Sequence, residues 1–155
     1  MHKIVEKFER NFKKKGFTLI EIILVVALLV LMGGISVPIY QSLQVRKNLD
    51  VATYAITQNL RQAQALSQSG TGDITWGVRI STGNITLFKG INYSGRDTAF
   101  DENTEISSNI VPSGISEIVF SKLFGEPQTT GDIILTNINN DTETITINPK
   151  GTIEY

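Results

Sequence analysis

The chain contains no cysteine, so it can build neither a disulfide framework nor a thiolate metal site, and thiol catalysis is excluded. A fold of 155 residues must then rest on its apolar core alone. Histidine is almost as scarce. The only one is His2, beside the first residue, which leaves the rest of the chain without an imidazole for a Ser-His-Asp triad or a zinc site. There is no G-x-x-x-x-G-K-[ST] loop to cradle a nucleotide and no G-x-S-x-G elbow to present a nucleophile. Neither an enzyme nor a cofactor is expected. Internal repeats and low-complexity linkers are also lacking. At 41% hydrophobic and 19% charged residues, the chain is neither disordered nor a coiled coil throughout.

Charge is nearly balanced overall but unevenly placed. Residues 1–16 hold six Lys/Arg against two Glu, and the remainder holds eight against thirteen acids. Cationic flanks stay on the cytoplasmic side of a membrane span, so residues 1–16 are expected in the cytoplasm and the C-terminal part outside it. The exported part is mildly acidic, which argues against a general electrostatic grip on nucleic acid.

After Lys13-Lys14-Lys15-Gly16 the sequence turns apolar over residues 17–40, interrupted by one acid, Glu21. A soluble core helix seldom runs so long without polar punctuation. A secretory signal has a shorter apolar region and a small-residue cleavage motif, which Gly33-Gly34-Ile35-Ser36-Val37 does not supply. A membrane helix needs roughly 20 apolar residues, and this run provides them. A single span over residues 17–40 is the expectation. An ionisable group inside such a span is costly and marks a functional site by default. Gly33, Gly34 and Pro38 all weaken a helix late in the run. Two readings stand for them: ordinary tolerance within a membrane helix, or a built-in point of bending.

Gly16-Phe17-Thr18-Leu19-Ile20-Glu21, with its basic leader and the apolar run to Leu31, resembles the class III signal of type IV pilins and type II secretion pseudopilins. Pro38 lies at the spacing of a helix-kinking proline in that family. The resemblance implies cleavage after Gly16 by a prepilin peptidase and N-methylation of Phe17. It also implies a role for Glu21 in subunit registration within a helical fibre. A carboxylate buried in an apolar bundle needs a cationic partner, and the amine of a neighbouring Phe17 is the obvious one; the plainer reading is an acid near the cytoplasmic interface. The implied location is the bacterial cytoplasmic (inner) membrane, then a pilus or pseudopilus. The implied partners are other pilins through the N-terminal helix, the inner-membrane assembly platform and membrane lipid.

Beyond residue 40, Leu49, Ala52, Ile56, Ala63 and Leu66, with Leu60 beside them, recur at helical spacing, while Arg46, Lys47, Asp50, Gln58, Arg61 and Gln62 fill the other faces. This predicts an amphipathic continuation over residues 41–70, ending near Ser69-Gly70-Thr71-Gly72. From Asp73 onward the pattern is β-rich. Strands are predicted over residues 74–80, 84–89, 117–123, 132–138, 143–148 and 152–155. Ser81-Thr82-Gly83 is expected to close a hairpin and Asn139-Asn140-Asp141-Thr142 to form a turn. The fold class is α+β: a long N-terminal helix, half membrane-spanning and half amphipathic, packed on a small antiparallel β domain over residues 71–155.

The order helix, glycine-rich break, Trp76-Gly77-Val78, then Leu87-Phe88-Lys89-Gly90 is similar to minor pseudopilins of the GspH/FimT type. Some of those bind DNA through an arginine-rich C-terminal tail. This chain ends Lys150-Gly151-Thr152-Ile153-Glu154-Tyr155 and departs from that pattern. Residues 96–105 are the densest acidic stretch. Asp97, Asp101, Glu102 and Glu105 are weak calcium candidates, because the spacing is not that of an EF-hand and no central glycine makes the turn; a solvated loop is expected. The sequence therefore reads as a minor pilin or pseudopilin. A fibre-borne DNA-binding competence subunit and a membrane-tethered binding domain are the alternatives.

Overall fold

The computed structural model describes residues 16–155, and the side chains of all of these except 34–42 and 71. The leader ahead of Gly16, including His2, lies outside the described residues, as do Gly34 and Pro38 beyond their backbone. The first helix, α1, runs Leu19–Gln68. The chain divides into two compact units, Met1–Ile39 and Tyr40–Tyr155. The class is α+β.

In the first unit, α1 is apolar at nearly every position. At Gly33 a side chain would meet nothing within 4 Å. Among the described residues no helix is long and apolar enough to cross a membrane; the expected span over residues 17–40 extends into the stretch whose side chains are not described.

In the second unit, α1 presents one stripe inward. Leu49, Ala52, Ile56, Leu60 and Ala63 are all buried, at successive spacings of three and four that place them on one helix face. Leu66, expected in the same stripe, is only partly buried. The chain leaves the helix through Gly70, in the left-handed conformation at φ 68°, and a short 3-10 turn at Thr71–Asp73.

Eight strands follow: β1 Trp76–Ser81, β2 Asn84–Lys89, β3 Asp97–Glu105, β4 Val111–Gly114, β5 Glu117–Phe120, β6 Gly131–Thr136, β7 Thr142–Ile147 and β8 Ile153–Glu154. They form two four-stranded antiparallel sheets, ordered β3-β2-β1-β5 and β4-β6-β7-β8. The helical stripe and inward residues of both sheets share one core: Trp76, Val78, Ile80 and Leu87 from the first, Ile133, Leu135, Ile145 and Ile147 from the second. Alternation in Thr144-Ile145-Thr146-Ile147 matches the burial, with both isoleucines inside and both threonines exposed.

Two strands depart from the sequence expectation. Residues 96–105 are not a solvated loop; β3 pairs with β2 as an edge strand. β4 was not foreseen and pairs with β6. The hairpin and the turn form where expected, with Gly83 at φ 82° and Asn140 at φ 63°.

The outer face of the first sheet has a smaller cluster of its own. Phe88 is fully buried yet lies on the face opposite Leu87. Its ring sits over Gly77, where a Cβ would come within 2.6 Å of Phe88 Cζ, and meets Tyr93 edge-on at 5.6 Å. Only glycine leaves room for that ring at this point of β1.

Candidate functional site at the N-terminal segment

Gly16, Phe17 and Thr18 precede the helix in non-helical backbone. Thr18 starts α1. Its carbonyl accepts from the backbone N–H of Glu21 at 3.1 Å and of Ile22 at 3.3 Å, and its hydroxyl also accepts from the Glu21 N–H at 3.4 Å. Such a cap satisfies an amide that has no partner within the helix. Thr18-Leu19-Ile20-Glu21 has the spacing of a capping box. Glu21 also lies in the first turn, where exposed N–H dipoles favour a negative charge. The Thr-x-x-Glu spacing is itself a sequence signal for a helix start here.

Phe17 is 80% exposed, and a side chain on Gly16 would meet nothing within 4 Å. Among the described residues nothing covers the Gly16–Phe17 peptide bond, and nothing there demands glycine at position 16. Phe17, Glu21, Ile22, Val25 and Val26 line one shallow groove along the helix. Glu21 is the single ionisable group in it.

The decisive property of this segment is the extent of its apolar surface. Ile22, Ile23, Leu24 and Val25 are 55, 57, 57 and 49% exposed. Four consecutive residues at about 100° per step cover the whole circumference of a helix. A helix apolar on every side requires an apolar environment on every side, whether lipid or other helices.

The second unit gathers no comparable chemistry. Asp101 accepts from Arg96 Nε at 2.8 Å, which holds the Arg96 guanidinium above its ordinary pKa. Arg96 also stacks on Tyr93 at 3.8 Å. Glu102 accepts from Gln62 at 3.0 Å. Of the four carboxylates considered for calcium, two are thus engaged with other side chains. Among the described residues no group of three or more acids or histidines is placed to hold a metal ion. Three further cations lie beside acids: Arg46 by Asp141, Arg79 by Glu117, and Lys122 by Asp73. Lys122 holds the Asp73 carboxyl below its ordinary value, by hydrogen bond first and charge second.

Comparison with known families locates the prokaryotic N-terminal methylation motif at residues 11–37. That segment contains the accessible Gly16–Phe17 bond, the Thr18 cap, Glu21 and the exposed apolar helix. The motif supports a prepilin-type signal and a pilin-like chain. No curated protein and no solved structure matches it.

Proposed function

We propose that this chain is a minor pilin or pseudopilin, a structural subunit and not an enzyme. A prepilin peptidase cleaves after Gly16 and methylates the new amine at Phe17. Before assembly the chain is held in the cytoplasmic membrane by residues 17–40, with the leader in the cytoplasm and the second unit exported. It then enters a type IV pilus or type II secretion pseudopilus through its N-terminal helix, with the inner-membrane assembly platform as a further partner. The observation that carries this reading is a helix apolar around its full circumference, bearing one carboxylate a single turn from an accessible Gly-Phe bond.

The physical logic runs through Glu21. When helices leave lipid and pack together, the carboxylate loses solvent and needs a cation. The amine of Phe17 on the next subunit supplies it. Glycine at position 16 serves the peptidase, since among the described residues nothing crowds a side chain there. The reading as a DNA-binding subunit has less support, because four of the eight cations in residues 41–155, Arg46, Arg79, Arg96 and Lys122, lie beside an acid, and phosphate binding needs several cations together.

The test is Glu21→Val. Membrane insertion and cleavage are expected to persist, because the span becomes more apolar and the scissile bond is unchanged. Recovery in the sheared fibre fraction is expected to fall to background. Normal incorporation of the variant would refute the pairing role.

A further inference from the structure

The loop between β2 and β3, residues 90–96, lies over the outer face of the first sheet. The strand register sets Phe88, Gly77 and Val119 side by side across β2, β1 and β5, one apolar row on that face. Phe88 is fully buried and Val119 is 4% exposed, yet neither belongs to the core that α1 shares with the two sheets. The ring of Tyr93, from the loop, meets Phe88 and covers this end of the row.

The loop grips the sheet at few points. Tyr93 and Arg96 are half-buried, while Ile91, Asn92, Ser94 and Gly95 are exposed, so Tyr93 is its one apolar anchor. The rest of the hold is polar and converges on Tyr93. The Tyr93 N–H donates to Glu117 Oε1 on β5 at 2.9 Å. Arg96 Nη1 donates to the Tyr93 carbonyl at 2.8 Å, and the guanidinium lies 3.8 Å from the centre of the Tyr93 ring. Asp101 on β3 fixes that guanidinium in turn, accepting from Arg96 Nε at 2.8 Å. At the base the two ends of the loop touch, since a Cβ on Gly90 would come within 2.9 Å of Arg96 Cα. Thr75 pins the first end: its carbonyl accepts from the Gly90 N–H and its hydroxyl donates to the Gly90 carbonyl. A loop closed at its neck in this way can open without moving the strands it joins.

We infer that residues 91–95 are a latched strap, held shut by Arg96 and Asp101, which opens as one unit and uncovers the Phe88-Gly77-Val119 row while the core stays folded. Segments with little buried apolar contact open locally at lower cost than the whole domain unfolds. Opening here gives up one half-buried ring and the hydrogen bonds around it, and leaves the side chains between α1 and the two sheets in place. The outer face of the first sheet is then a gated apolar surface. The inference concerns the second unit alone and stands apart from the reading of the N-terminal segment.

The absence of cysteine makes the test clean. In the full-length chain in detergent, Val119→Cys reports the covered row and Ala52→Cys reports the core, where Ala52 is 1% exposed. Maleimide labelling under native conditions is expected to be faster at position 119 than at position 52. Adding Arg96→Ala is expected to speed labelling at 119 on the order of tenfold, the effect of losing a hydrogen bond to a charged group, and to leave position 52 and Trp76 emission unchanged. Equal rates at the two thiols overturn the inference, as does equal acceleration of both or no acceleration at 119. Amide hydrogen exchange gives a second reading without any cysteine. In Arg96→Ala the Tyr93 and Gly95 amides are expected to exchange faster while those of Val78 and Leu87 keep their rates. Acceleration of all four would mean that Arg96 stabilises the whole unit and holds no strap.

Discussion

Ile23 and Ile56 are the same residue on the same helix, yet one is 57% exposed and the other fully buried. The difference separates the two units. In the second, α1 carries apolar residues on one stripe, and two sheets close over that stripe to complete a core within the chain. In the first, apolar residues occupy every face, and no described element of the chain covers them. The second unit has the composition of a self-sufficient fold. The first is a surface that requires its partner, and its one acid sits at the capped start of the helix.

The widest separation between the units is expected from deletion. Removing residues 1–40 should yield a soluble monomer with blue-shifted Trp76 emission, since Trp76 is 5% exposed in the core, while the full-length chain stays in the membrane fraction. A truncated chain that aggregates, or a full-length chain that is soluble, would break the comparison. Fractionation with fluorescence reads both.

A pair of substitutions sharpens it next. Leu60→Ala removes a fully buried side chain and is expected to cost about 2–5 kcal/mol of stability in the second unit. Ile23→Ala, on the exposed helix, should leave that stability within about 0.5 kcal/mol. Urea unfolding followed at Trp76 makes the measurement. Equal losses from the two would mean that the units do not stabilise independently.

Legibility from the sequence followed how local each signal was. The stripe from Leu49 to Ala63 was readable because helical spacing repeats within one segment. Ile145 and Ile147 were readable by their alternation with Thr144 and Thr146. β3 was not, because Asp97, Asp101, Glu102, Asn103 and Glu105 have the composition of a loop; its strand conformation comes from pairing with β2 at a sheet edge. Its register also shifts between Leu87 and Lys89, and the Arg96–Asp101 pair lies beside that irregularity. β4 was hidden by its shortness and by Pro112 and Gly114. At the candidate site the motif was plain in the residues. The pairing of distant cations with acids was not, since Lys122 and Asp73 meet only through the fold.

The smallest expected effect concerns that last pair. Asp73 has a folded pKa below its unfolded value. Its contribution to stability is therefore present above the unfolded pKa and is lost as pH falls through the folded one. Asp73→Asn should weaken the second unit slightly at pH 7, and the difference from the parent chain should vanish in acid below the ordinary aspartate range. Denaturant midpoints at the two pH values test the sign. A difference that grows on acidification would contradict it.

The Gly16–Phe17 bond is where the prepilin reading is tested most directly. Intact-mass and N-terminal peptide mass spectrometry of the chain from host membranes should find a mature protein beginning at N-methylated Phe17, and Gly16→Val should leave the leader attached. A membrane-resident chain that keeps residues 1–16, or one that begins elsewhere without methylation, would contradict the prepilin reading.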